Sequence, residues 1–338
     1  MLELRNHTPF KVGLIPCLDK EGLDHVAIVI KGTFDLVDTN DSLSVSEVQL
    51  PLFMADEFYG EPGQSSVKYE SDVCQLKSGT DLVLKGHAYS RRENRSTGVD
   101  VQLRVGNVSK MVHVVGDRRW ERTIMRWRWT GPESFDRIPL VYERAFGGKD
   151  PSRLDVAKQE SDKRNPVGTG FSTMKDNVEG LLLPNLEDPR MPIRDWKDKP
   201  APAGFGFISR NWVPRVQYAG TYDEKWQQER FPLLPYDFDL MFFNGASPDL
   251  IVTPHLRGGE SVSVVNASYD GLLGFKLPER RFDISLWIKG KESVAVPLLD
   301  TVIIEPDEKR VLLTWRASAP CFKSFLLIDR VRVKEKPL

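Results

Sequence analysis

The residues that come closest to doing chemistry are three acids. Asp237 and Asp239 flank Phe238, so an extended segment would turn both carboxylates to one side. With Glu143 of Tyr142-Glu143-Arg144 they offer the acid/base pair that glycoside hydrolysis uses, given a suitable separation and unequal pKa values. Trp127, Trp129, Trp196 and Trp212 would then be stacking platforms for sugar rings. The same acids suit a plainer role, bonding backbone amides or pairing with Arg210, Arg215 and Arg230, and this is the stronger reading. Other signatures are incomplete. Gly168-Thr-Gly170 begins a dinucleotide fingerprint, but Thr173 stands where the third glycine belongs. Gly147-Gly148-Lys149 lacks the earlier glycine of a phosphate loop. Ser172 and Lys175 have the Ser-x-x-Lys spacing of acyl-enzymes without the elements that accompany it. The five histidines are scattered singly, so no zinc site is expected. The sequence therefore predicts no catalytic, cofactor-binding or metal-binding residues.

The elements that must position these residues are mostly strands. Leu2–His7, Phe10–Ile15 and Leu82–Ala88 are short strand signals. Val26, Ile28, Ile30, Phe34 and Leu36 alternate with Lys31, Thr33 and Asp35, which predicts a strand buried on one face only. Val99–Val105 and Val108–Val115 flank Gly106-Asn107, a tight-turn dipeptide, and predict a hairpin. A second hairpin is expected from Thr301–Glu305 and Val311–Trp315, and a last strand over Phe325–Val333. Trp120 to Trp129 reads as one strand with an arginine face, a pattern that also suits stacking on nucleic acid. The expected class is all-β, predominantly antiparallel and sandwich-like, with one or two short helices.

One stretch carries unusual punctuation. Between Pro202 and Asp249 three glycines (Gly204, Gly206, Gly220) and three prolines (Pro214, Pro232, Pro235) interrupt a dense run of aromatics. Thr221-Tyr-Asp-Glu224 reads as a capping box that opens a helix near 222–230, which Pro232 closes, with Trp226 inward and the rest exposed. This stretch is expected to be a rigid core segment that can also present a binding surface. Residues 146–215, rich in Gly, Pro, Asp and Asn, predict an ordered irregular insertion between a β region over 1–145 and another over 216–338, the three forming one integrated unit.

Composition bounds the function. Lys plus Arg number 47 and Asp plus Glu 48, so no global field attracts nucleic acid or an anionic membrane. Three widely spaced cysteines form no disulfide framework, which favours a reducing compartment. The first residues lack an apolar signal region, and no run of 18 apolar residues occurs. A cytoplasmic soluble protein is expected.

Several blocks, in order, resemble one bacterial family. They are Val67-Lys-Tyr-Glu-Ser-Asp72, Gly79-Thr-Asp81, Gly86-His87-Ala88, Lys110 with Gly116-Asp-Arg-Arg-Trp120, Tyr142-Glu-Arg-Ala-Phe-Gly-Gly148, Asn165-Pro-Val-Gly168 and Leu183-Pro-Asn-Leu-Glu-Asp-Pro189. The stretch with Arg210, Trp212, Arg215, Tyr222, Asp223, Trp226, Arg230, Asp237 and Asp239 follows, then Gly258-Gly-Glu260 and Leu277-Pro278. These resemble the type VI secretion effector adaptors, first catalogued as a domain of unknown function. The resemblance implies a non-enzymatic cytoplasmic chaperone. Such a protein holds an effector, often through its PAAR-like domain, and helps load it onto the secretion spike. It implies no cofactor, and it assigns no individual role to the signature residues. Specificity is expected in the loops near Asn40–Ser46, Arg91–Gly98 and Lys158–Lys163.

Overall fold

The structure, a computed structural model, describes residues 2–36, 43–90, 96–124, 126–150, 158–174, 178–321 and 324–337. It is an all-β protein; among the described residues three sheets of four or more strands carry the fold, beside four two-stranded ones. The largest has seven strands: Ile251–Val252, Thr80–Leu84, Leu298–Glu305, Arg310–Pro320, Asp24–Leu36 and Lys11–Leu18 in spatial order, with Leu43–Val45 paired on the end of Asp24–Leu36. A five-stranded sheet runs Leu186–Glu187, Val108–Val115, Gly98–Val105, Ser261–Val265 and Leu272–Lys276. A four-stranded sheet runs Glu3–His7, Ile328–Lys336, Arg281–Ile288 and Lys291–Ala295. Pairing is antiparallel in these sheets except for Thr80–Leu84 on Leu298–Glu305 and Glu3–His7 on Ile328–Lys336.

Both expected hairpins form, with Val105 opposite Val108 and Glu305 opposite Arg310. Four expectations about strands need correction. The Asp24–Leu36 strand is central, flanked on both sides, and most of its expected wet face is dry: Lys31 is 1% exposed and Thr33 2%, while Asp35 is exposed as expected. Periodicity saw alternation but could not see the Asp72 ion pair that lets Lys31 be buried, or the Leu50 amide from which the Thr33 hydroxyl accepts. Trp120 to Trp129 is a small hairpin, with Trp120–Arg122 paired on Trp127–Trp129, because Thr123 and Arg126 close a turn between them. Leu82–Ala88 divides into two strands at Gly86, whose φ of 146° only glycine adopts readily. The last strand begins at Ile328, after a 3-10 turn over Phe325–Leu327.

One continuous core joins the sheets. Phe282 of the four-stranded sheet packs 5.1 Å from Trp315 of the largest sheet, and Phe10 and Phe34 complete the aromatic cluster. Val101, Leu103 and Val264 of the five-stranded sheet belong to the same buried set. Trp120, Phe146, Phe171, Val178, Leu183 and Ile193 form a smaller satellite core beneath the irregular chain, with Trp127, Trp129 and Trp196 against it. Those three tryptophans are packing groups, and Trp212 is buried 5.8 Å from Tyr142, so none of the four stands free as a sugar platform.

Candidate functional site

The stretch from Pro202 to Asp249 contains little regular structure, so side chains must fix it. Arg215 is 3% exposed and donates to the carbonyls of Phe242 at 2.7 Å and Ile208 at 2.8 Å, and to Glu70. Glu70 also receives Lys77 at 3.4 Å, and Lys77 donates to Asp81 at 2.7 Å and Thr301 at 3.0 Å. Asp81 in turn accepts from the Asn244 side chain and the Gly245 amide, both at 2.9 Å. Thr301 donates to Asp300, which holds Arg316 at 2.6 Å. Arg316 then donates to the carbonyls of Asp72 and Cys74, and the Asp72 carboxylate holds Lys31 at 2.7 Å. A buried ionic seam therefore runs from the centre of the largest sheet into the irregular stretch. Burial alone would raise the Glu70 carboxyl, but Arg215, Lys77 and Arg210 outweigh it and hold it below its ordinary range. Burial drives Lys31 down despite Asp72.

The other signature residues are local anchors. Arg210 is half-buried and lies 3.7 Å from Glu70 and 3.8 Å from Asp56. Asp223 caps the one α-helix among the described residues, α1 (Glu224–Glu229), by accepting from the Trp226 amide at 2.8 Å. Thr221 is not the cap, because its hydroxyl and amide are held by Asp237 at 2.7 and 2.9 Å. Trp226 is half-buried, with its indole N–H donated to the Leu233 carbonyl. Arg230 is buried rather than exposed: it donates to the carbonyls of Leu234 and Lys20 and lies 4.4 Å from the Tyr236 ring centre. Tyr222, by contrast, is 54% exposed, as are Phe231 at 67% and Tyr236 at 64%. Tyr222 and Phe231 stand edge-on to Trp226, so the helix and its flanks carry an ordered aromatic surface.

The three candidate acids are not assembled as a pair. Asp237 sits in a turn and clamps Thr221, whose backbone and hydroxyl bonds lower its carboxyl pKa. Asp239 caps the 3-10 turn Leu240–Phe243 through the Met241 amide at 2.8 Å. Glu143 accepts from the Ser66 amide at 2.7 Å and its hydroxyl at 2.6 Å. The expected extended geometry fails because Phe238 N–H bonds Pro235 and bends the chain. Ser172 donates to the Met174 carbonyl, and Lys175 lies outside the described residues. His87 and His113 pair with Asp307 and Asp100, His25 contacts Ser318 and Asp19, and His255 meets the Lys77 carbonyl. Among the described residues no three His, Cys, Asp or Glu side chains group to hold a metal. No helix among them is long and apolar enough to cross a membrane.

Two further blocks interlock. Asn165 donates its side-chain amide to the carbonyls of Tyr142 at 2.7 Å and Phe146 at 3.0 Å, and its own carbonyl accepts from the Gly148 amide. Gly147 has φ 143°, and a side chain there would strike the Asn165 carbonyl at 2.2 Å, so only glycine allows this contact. Of the three loops expected to vary, residues 40–42 and 91–95 lie outside the described residues. Residues 158–163 are tied by Asp150 N–H to Glu160, Asp162 N–H to Gly148 and Val213 N–H to Lys163.

Where these blocks meet they leave a cavity of about 400 Å³. Its walls are Ala201, Pro202, Ala203, Ile208, Val213 and Pro214, and its polar end is Lys110, Tyr142, Ser247 and Asp249. Lys110 reaches Ser247 at 2.7 Å and Asp249 at 2.9 Å. Sequence reading missed this group, and it also missed the ionic seam. The signal for the seam was present: Lys31 in Val-Ile-Lys-Gly and Arg316 in Thr-Trp-Arg-Ala are lone cations within apolar strands.

These features define an all-β protein whose signature residues are largely spent on holding one irregular segment against a sheet. The chain belongs to a family described as an uncharacterized protein conserved in bacteria (DUF2169), whose profile matches residues 21–316. No curated protein and no solved structure matches it.

Proposed function

We propose that the chain is a cytoplasmic adaptor that binds another protein through the aromatic surface around α1. The observation that carries this reading is the exposure of Tyr222, Phe231 and Tyr236 on a segment that Arg215, Asp223 and Arg230 hold rigid. Exposed aromatic groups on an ordered scaffold bury large area at low conformational cost, which is the composition of interface anchors. The turn that Arg230 contacts through Lys20 adds the exposed Leu18 and Leu23. The partner class follows from the sequence resemblance: a type VI secretion effector held through its PAAR-like domain for loading onto the spike. The fixed structural duties of Glu143, Asp237 and Asp239 favour this over glycan hydrolysis.

The test is affinity capture of the tagged chain from its native cytoplasm with the secretion system expressed. Near-stoichiometric recovery of a PAAR-like protein, lost in a Phe231→Asp/Tyr236→Asp variant that melts like the parent, is the expected result. Recovery of the chain alone at low salt would sink the proposal.

A further inference from the structure

The Tyr142 side chain is 3% exposed, and its hydroxyl forms no well-aligned hydrogen bond in the protein, although the Ser247 hydroxyl lies near it. An unpaired buried hydroxyl costs free energy, so its retention asks for a reason. Its surroundings supply one. Tyr142 lines the 400 Å³ cavity together with Ser247 and Asp249, the groups of its polar end. Ser247 is already engaged, receiving Lys110 and donating to Asp249 at 2.7 Å. Lys110, 9% exposed in its side chain, uses two of its ammonium protons on Ser247 and Asp249 and keeps a third. Two donors therefore converge at one end of a space walled by alanine, proline, isoleucine and valine.

The charge around the cavity is already balanced. Lys110 is paired with Asp249, Arg190 with Asp188 through two bonds at 3.0 and 2.8 Å, and Arg164 with Asp162 through two at 2.9 and 2.5 Å. An anion would lose hydration without meeting a free cation, and a cation would face Lys110. A volume of about 400 Å³ with apolar walls and few convergent polar groups has the build of a small-molecule site.

We propose that this cavity binds a small, uncharged, largely apolar molecule through one carbonyl oxygen, which accepts from the Tyr142 hydroxyl and the remaining Lys110 proton. Ala201, exposed at the rim, marks the entrance.

The experiment is a ligand-observed NMR titration of the full chain with three probes that share one apolar body: cyclohexyl methyl ketone, cyclohexanecarboxylate and cyclohexylammonium. The ketone binds, and each charged probe binds at least about tenfold more weakly. Tyr142→Phe weakens the ketone up to about tenfold, the share of one hydrogen bond. Ala201→Trp, which fills the rim, abolishes binding, and it decides alone should Tyr142→Phe fail to fold. Three results overturn the proposal: ketone affinity weaker than about 10 mM in the folded parent, equal affinity for either charged probe, or ketone binding that survives Ala201→Trp.

Discussion

Lys77 Nζ lies 2.7 Å from Asp81 Oδ2, four residues on, with both side chains buried in the sheet. Asp81 and Glu70 outweigh the cost of burial and raise the Lys77 pKa, so the ammonium stays charged inside the protein. The pair is one link of the seam that continues through Thr301, Asp300 and Arg316. Breaking a buried pair on one side strands the other charge, whereas replacing both by apolar groups removes that penalty. Arg316→Met should therefore destabilise the fold by about 3–5 kcal/mol, and Arg316→Met with Asp300→Leu should recover a large part of it. Urea unfolding of the three proteins checks this. A double variant no more stable than the single would show that the charges do not compensate one another.

Acid should unfold the protein through a second buried group. Burial raises the Glu305 carboxyl, but Lys85, Tyr69 and Arg310 outweigh it and hold it below its ordinary 4.5. A depressed carboxyl contributes stability that is present above 4.5 and lost as pH falls through the lower folded value. The denaturation midpoint should drop below pH 4.5, and more shallowly in Glu305→Gln. An identical slope in that variant would remove Glu305 from the account.

The thiols should be slow. Burial pushes Cys17, Cys74 and Cys321 up to about 11, and all three are free. At pH 8 only about one thousandth of each is thiolate, so an aromatic disulfide reagent should react far faster after unfolding than before. The pH effect on stability has the opposite sign to that of Glu305. Raised thiol pKa values contribute stability that is full below 9.0 and lost as pH climbs through about 11. Rapid labelling of a native thiol at pH 8 would refute the assignment.

Tyr142→Phe tests the orphaned hydroxyl without any ligand. Removing a buried unpaired group should leave stability unchanged or raise it by about 1 kcal/mol, where an engaged hydroxyl would lower it. Thermal unfolding of the purified variant gives the sign.

Asp237→Asn should leave partner capture intact wherever the Thr221 turn survives, since the carboxylate is spent on the amide and hydroxyl of that residue. Asp223→Ala, which uncaps α1, should cost about 1 kcal/mol and weaken capture by loosening Tyr222 and Trp226. Loss of capture in a fully folded Asp237→Asn would place that acid at the partner.

How much was legible follows from what each signal measures. Hairpins announced by Gly106-Asn107 and Pro306-Asp307-Glu308 formed because turn chemistry is local. The Asp24–Leu36 strand was placed, yet its environment was misjudged, since Lys31 is dry only because Asp72 is present from 41 residues away. The helix was found and its cap misplaced by two residues, because Thr221 was taken by Asp237 from across the turn. The cavity left no trace at all. Its walls come from residues 201–214 and its polar end from Lys110, Tyr142, Ser247 and Asp249, and a space between such distant segments has no period in the sequence.

The ionic seam also bears on how the chain reaches its fold. Asp72 and Arg316 are 244 positions apart, and Thr301 meets Lys77 across 224. Contacts of such separation form late, since chain closure must precede them. Until the Leu298–Glu305 and Arg310–Pro320 strands arrive, Lys77 has no Thr301 and Asp72 no Arg316, so that part of the sheet stays hydrated. The last third of the chain is thus the keystone of assembly, and a chain stopped before Leu298 would hold its first charges in water with no dry core to enclose them.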